Sequence, residues 1–373
     1  MTKRANFAVS VLFILFLGAA FVWNLILPDK AFSESENRYL QTFPSFSVSS
    51  LLRGEFTQKA ESWCADQFLL RDRWISLKAR LELLQGKKEN NGVFLCEGER
   101  LLEPFEMPAP AVTDRQSAAV EHLTQNLKVP VTLGIIPSAA ELYREYLPEG
   151  VRNDSQRAAI DRICTRTHTA SADLLTTLKA HKEEYIYYRT DHHWTSLGAY
   201  YGYTALSEAL GFTPASLSSF DIRTVSDAFC GTAYSSSGFF WVSPDSMQTF
   251  LDSPQELRVL RYDTDVPVSG VLYDETMLQT KDKYRFYLGG NTPLAVIETG
   301  NTDLPSLLIV RDSYTDCLVP FLLAHYSQIH LIDLRYYRES ISDYVESNGI
   351  DSVLVLYSLE NFCTDANLAL LAG

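Results

Sequence analysis

Asp191-His192-His193-Trp194 sets a carboxyl group and two imidazoles side by side, between a strand-like run, Tyr185-Ile186-Tyr187-Tyr188, and a helix-like run over 197–210. Loops at strand ends hold reactive groups on rigid scaffold and leave them open to substrate. An acid that orients an imidazole, and an imidazole that accepts a proton, lack only a nucleophile. Arg311-Asp312-Ser313-Tyr314 offers one, because it follows the apolar run 307–310 and precedes an amphipathic stretch carrying Leu318, Phe321, Leu322 and His325. A serine at a strand-to-helix turn presents its hydroxyl at the carboxyl edge of a sheet, where the N–H groups of the helix start face a developing oxyanion. The same Asp-Ser pair is also an ordinary helix cap. Taken together, Asp191, His193 and Ser313 supply the parts of a triad, whose chain order is free. His193 would take the Ser313 proton and Asp191 would hold the imidazole tautomer.

The elements that must position these groups are legible as periodic patterns. From about residue 112, helices alternate with short apolar strands: a helix over 115–127, a strand over 131–136 stopped by Pro137-Ser138, a helical stretch over 155–180, and a strand over 185–188. Such alternation specifies an α/β fold with a parallel sheet covered by helices on both faces. Residues 222–304 break the rhythm with Gly, Ser, Asp and aromatic residues and read as a β-rich insertion. Three strands then follow, over 307–310, 329–332 and 353–356, joined by helices over 315–326 and 339–347. Ahead of this α/β region, 51–86 carries a broken apolar stripe ending in turn residues, and 93–95 with 101–102 suggests a hairpin.

The N-terminus carries Lys3 and Arg4 and then an uncharged stretch over 7–27 that is long enough to cross a bilayer. Positive residues ahead of it place the N-terminus in the cytoplasm and the body outside. Gly18-Ala19-Ala20 offers a processing site for the competing reading, a cleaved signal peptide. The expected organisation is an anchor or signal over 1–28, a juxtamembrane linker over 29–50, a helical region with a hairpin over 51–111, and the α/β domain over 112–373.

A net charge of -14 repels phosphate backbones, and no Lys/Arg stripe interleaved with aromatics appears, which excludes a nucleic-acid binder. The six cysteines lie far apart without CxxC or zinc-type spacing, so they read as isolated thiols, and Cys317 as packing behind Ser313.

Thr190-Asp191-His192-His193-Trp194-Thr195, with Gly198 beyond it, resembles the D-x-H-W-T signature of the alginate O-acetyltransferase-like branch of the SGNH hydrolase superfamily. The doubled histidine is similar to a subfamily named after its Asp-His-His-Trp motif. The resemblance extends through 32–38, 66–72, Ile135-Ile136-Pro137-Ser138, 283–291, Asp312-Ser313 and 333–337, which is nearly the whole chain beyond the apolar N-terminus. It implies an SGNH-like α/β/α sandwich in a circularly permuted block order, Asp/His before Ser, with the strands 307–310, 329–332, 353–356, 131–136 and 185–188 as first to fifth of the usual order. It implies Ser313 as nucleophile, His193 as base and Asp191 as orienting acid. The loops after the second and third strands, which in relatives carry oxyanion donors, here carry Arg335 and Asn361. Arg311 stands where many relatives have Gly, and no Gly marks the second oxyanion position.

Other roles stay open at this level. Arg335 either binds an anionic substrate or pairs with Asp333 or Asp312. Tyr234 and Asn291 either line the substrate cleft or serve turns. Trp194 is expected to wedge beneath the loop and His192 to position it. The leading expectation is an extracytoplasmic serine O-acyltransferase, acting on a cell-surface or exported polysaccharide without a cofactor, beside a multi-pass membrane O-acyltransferase that the resemblance implies as partner. Alternatives are an esterase of the same fold, a non-catalytic polysaccharide-binding or assembly protein, and a metal site at 190–193 like that of DHH phosphoesterases, whose upstream aspartate motifs this sequence lacks.

Overall fold

The computed structural model describes residues 3–251, 257–264 and 266–373. Residues 1 and 2 of the expected anchor, and 252–256 and 265 of the expected insertion, lie outside the described residues. The chain divides into two compact units, Met1–Asn91 with Tyr234–Val242, and Gly92–Ala233 with Ser243–Gly373.

The first unit begins with the helix Lys3–Ile26, whose 24 residues are long and apolar enough to cross a membrane. Helices Val48–Leu52, Glu55–Asp66 and Arg71–Leu84 follow. The segments 32–38 and 66–72 meet here, where Arg38 donates to Asp66 at 2.5 and 3.0 Å, Arg71 pairs with Glu36, and Ser35 donates to Asp72 at 2.9 Å.

The second unit is built on a single sheet whose strands are β1 (Val131–Ile136), β2 (Ala170–Ala172), β3 (Arg258–Tyr262), β4 (Val268–Gly270), β5 (Leu294–Glu298), β6 (Ser306–Arg311), β7 (Gln328–Ile332) and β8 (Ser352–Ser358). Their spatial order is β4-β3-β5-β7-β6-β8-β1-β2. The pairs β7–β6, β6–β8, β8–β1 and β1–β2 are parallel, and β5 joins β7 antiparallel. Every residue of β1 and β6 is buried, which is why both read as mostly apolar runs instead of alternating ones. Taking β6 as first strand, the parallel part reads 2-1-3-4-5, the doubly wound order in which ligands collect at the carboxyl ends beside the first strand. This is the α/β/α sandwich with a permuted block order, since β1 and β2, the fourth and fifth strands of the usual order, precede the first strand, β6, in the chain.

Three local expectations change. Residues 185–188 form no sheet strand; Tyr187 makes only an isolated bridge to Trp194, and the fifth place belongs to β2. The helical stretch 155–180 is two helices, Gln156–Thr167 and Leu174–Ala180, because His168 takes a left-handed backbone (φ 49°) and turns the chain into β2. The expected helix 315–326 is a turn, Ser313–Thr315, followed by the short helix Val319–Leu322; Pro320 has no N–H to continue the ladder of a longer one. Among the described residues of the β-rich insertion, β3, β4 and β5 extend the central sheet, and Asp221–Phe229 pairs antiparallel with Asp245–Leu251 in a two-stranded sheet.

Candidate active site

β6 delivers Ser313. Asp312 caps the turn that follows, one carboxylate oxygen accepting from the Tyr314 N–H at 3.1 Å. Its other oxygen accepts from the Ser358 N–H and the Asn361 amide, both at 2.8 Å, which ties the serine turn to the end of β8. Ser313 is half-buried, and its N–H has no partner among the described residues.

The Asp-His-His-Trp loop is held from four sides. Upstream, buried Asp245 accepts from the Thr190 N–H at 2.8 Å, the Thr190 hydroxyl at 2.6 Å and Arg189 Nε at 3.2 Å. Downstream, the Thr195 hydroxyl caps helix Ser196–Leu210 by accepting from the Gly198 N–H, a cap worth about 1 kcal/mol. Beneath, Trp194 is fully buried and donates to the Tyr314 carbonyl at 2.9 Å. Across the site, Tyr314 returns its hydroxyl to the His192 carbonyl. Gly202 makes room for the Trp194 ring, since a Cβ there would lie 2.6 Å from it.

Asp191 Oδ1 lies 2.5 Å from His193 Nδ1 and accepts from the His193 N–H at 3.0 Å. A carboxylate only accepts, so Nδ1 carries the proton and Nε2 presents a lone pair. That Nε2 is 2.8 Å from Ser313 Oγ. Asp191 Oδ2 is taken by the Thr232 N–H at 2.7 Å and the Thr232 hydroxyl at 3.0 Å. The approach requires glycine at 231, where a Cβ would sit 2.1 Å from Asp191 Oδ2. The His193 ring stacks on Tyr284, centroids 3.8 Å apart and planes 12° apart, and the Tyr284 hydroxyl donates to the Ser313 carbonyl at 3.2 Å.

Burial pushes the His193 imidazole down to about 4, with neighbouring His192 acting the same way and Asp191 opposing. Burial works against the Asp191 charge, yet His192, His193 and the Thr232 N–H outweigh it and hold the carboxyl below its ordinary range. Burial pushes the Cys317 thiol up to about 12, which leaves it an inert packing group.

The remaining expected residues fall in different places. Asn361 lies at the serine turn, with one amide hydrogen given to Asp312. Arg335, at the end of β7, is paired with Asp333 at 2.9 and 2.6 Å. Asn291 accepts from Arg311 at 3.3 Å. Arg311 itself is buried and ion-paired with Asp316 at 2.6 Å. His192 Nδ1 is 2.6 Å from the Thr232 hydroxyl. Tyr234 belongs to the other compact unit and donates to the Phe240 carbonyl at 3.1 Å. Asp191, His192 and His193 also offer ligand atoms within 4.8 Å of one another, close enough to hold a cation. The geometry commits those donors to one another, to Thr232 and to Ser313 instead.

Sequence reasoning did not single out Thr232, Tyr284 or Asp245. Tyr284 lies inside the resembling segment 283–291, and Thr232 follows a glycine, but no local pattern ties either to Asp191 or His193. Asp245 gives no signal at all before folding.

A family model described as DHHW protein matches residues 98–332. A DHHW family protein from Eubacterium siraeum DSM 15702 superposes with a TM-score of 0.68 at 24% identity, covering 76% of this chain and 95% of its own. PatB1 of Bacillus cereus superposes with a TM-score of 0.62 at 18% identity, covering 72% and 95%. The probable alginate O-acetylase AlgJ of Pseudomonas syringae pv. tomato is 27% identical over 175 residues, 43% of this chain. That match spans only 44% of the relative's length. The family match covers more than half of the chain and includes the Asp-His-His-Trp loop and the serine turn, and the chain belongs to the DHHW protein family.

Proposed function

We propose that the protein is a serine O-acyltransferase that acetylates a polysaccharide through a Ser313 acyl-enzyme. The observation that carries this reading is the Ser313–His193 pair at 2.8 Å, with Asp191 on the far imidazole nitrogen. In the first step Ser313 Oγ attacks the carbonyl carbon of the acyl donor, His193 Nε2 takes the serine proton, and the donor's leaving group departs with that proton. In the second step a sugar hydroxyl attacks the acyl-serine and gives its proton to His193. The ester bond to Ser313 breaks, and Oγ recovers the proton. The free Ser313 N–H and the second amide hydrogen of Asn361 are the donors we assign to the oxyanion.

The likeness to the alginate O-acetylase supports acetyl as the group moved and polysaccharide as its acceptor. The apolar helix Lys3–Ile26 supports a body anchored outside the membrane with the N-terminus in the cytoplasm, and by the family resemblance a multi-pass membrane acyltransferase would deliver acyl groups to it across the bilayer. The test is acetyl transfer from an activated acetyl ester, followed with and without oligosaccharide by mass spectrometry. Acetylated sugar in the wild type and none in Ser313→Ala supports the transferase. Fast ester hydrolysis with no acetylated sugar makes it an esterase. Full biological activity of Ser313→Ala makes it a non-catalytic binder.

A further inference from the structure

Beside the triad lies a cavity of about 550 Å³, within the range of about 300–1,000 Å³ common for ligand sites. Its walls come from the same sheet edge. Ser138 follows β1, and Glu360 sits in the helix Leu359–Thr364 that follows β8, between the two donors that Asp312 accepts from. Glu103 lies two residues beyond Leu101, whose N–H donates at 2.8 Å to the carbonyl of Arg189, two residues before Asp191.

The charges in this cavity are one-sided. Glu103 and Glu360 are exposed, and neither carboxylate has a hydrogen bond or ion pair among the described residues. The cation in its walls, Arg152, is taken by Asp154 at 2.8 Å and Glu106 at 3.5 Å. Desolvation raises the Glu103 carboxyl above the ordinary carboxylate range, with Glu360 and Asp191 acting the same way and His192 opposing.

We propose that this cavity is the acceptor subsite, and that its two unpaired carboxylates, Glu103 and Glu360, select an uncharged glycan and turn away polyuronates. This rests on the acyltransferase reading given above. Carboxylates are strong acceptors for sugar hydroxyls, and Phe94 and Phe105 add apolar surface for a ring face. A uronate carboxylate in the same place meets two like charges with no free cation to pair, which is specificity by repulsion. The acceptor class therefore differs from that in the name of the alginate O-acetylase it resembles.

The test is oligosaccharide binding to the full chain carrying Ser313→Ala, by calorimetry, with neutral cello- and xylo-oligosaccharides against oligogalacturonate of equal length. The neutral ligands are expected to bind at least roughly tenfold tighter at low ionic strength, with the gap narrowing as salt screens the repulsion. The pair Glu103→Gln and Glu360→Gln is expected to narrow it too. Equal or tighter binding of oligogalacturonate, a gap indifferent to the two glutamines, or no binding by any neutral oligosaccharide overturns the proposal. Acylation of Ser313 by a chromogenic acetyl ester is measured separately in the wild type. Discrimination without acylation sinks the acyltransferase reading and leaves a glycan-binding cavity, whereas acylation with polyuronate preferred sinks the selectivity alone.

Discussion

His193 Nε2 and Ser313 Oγ stand 2.8 Å apart across 120 residues of chain. Nothing local brings them together; parallel pairing around β6 and the Trp194 bond to the Tyr314 carbonyl do. Ser313→Ala and His193→Ala are each expected to lower acyl transfer by on the order of 10⁴-fold or more, and Asp191→Asn by about 10⁴-fold through loss of the correct tautomer. The double variant Ser313→Ala with His193→Ala should be no worse than either single one, because the groups act as a unit. Initial rates with unchanged circular dichroism check this; additive losses would sink it.

Since burial brings His193 down to about 4 from an ordinary 6.5, the imidazole stays neutral and competent as a base well into acid. The acid limb of kcat/KM is expected near pH 4, with a flat profile across 6.5. The stability sign follows from the same shift. The unfolded chain binds the proton near 6.5 and the folded chain only near 4, so stability is full above 6.5 and declines as pH falls through that window. A rate profile breaking near 6.5 in the folded enzyme would contradict the assignment.

Tyr284 stacks on the His193 ring, and its hydroxyl reaches the Ser313 carbonyl and the Cys317 sulfur rather than the imidazole. Tyr284→Phe keeps the stacked face and removes the hydroxyl contacts to the Ser313 carbonyl and the Cys317 sulfur, worth about 1 kcal/mol each, so kcat should stay within a few-fold. Tyr284→Ala frees the ring, and misplacement of a catalytic group by an ångström costs about 10²-fold. Equal losses in the two variants would place the effect in the hydroxyl.

Arg311 occupies a position where the family resemblance suggests glycine, and it is fully buried against Asp316. Arg311→Ala leaves a buried carboxylate unpaired and is expected to cost about 3–5 kcal/mol in urea unfolding. Replacing both partners, Arg311→Met with Asp316→Leu, should recover most of it. A stable Arg311→Ala with lost activity would point instead to a direct role at the site.

Much of the α/β region was readable because its signals are local. β1, β6, β7 and β8 carry apolar runs bounded by turns, and Asp312 announces the turn it caps. β2, Ala170-Ser171-Ala172, has no such signature, so it was hidden inside a helical pattern while aromatic Tyr185-Ile186-Tyr187-Tyr188 passed for a strand. Edge pairing with β1, rather than intrinsic preference, makes the first a strand. β3, β4 and β5 read as an insertion because strand order along a sheet is not written in strand composition.

The sequence by itself determined which groups are the candidates for the chemistry: an acid and two imidazoles on one loop, a serine after an apolar strand, and a turn that caps itself. These are properties of residue type and spacing within a few positions. Only the tertiary structure decided that Thr232 and Asp245 hold the loop, that Tyr284 backs the imidazole, and that Arg335 is already paired with Asp333. Each of those is a contact between distant segments, fixed by the order of strands in the sheet and by the space that glycines 202 and 231 leave open.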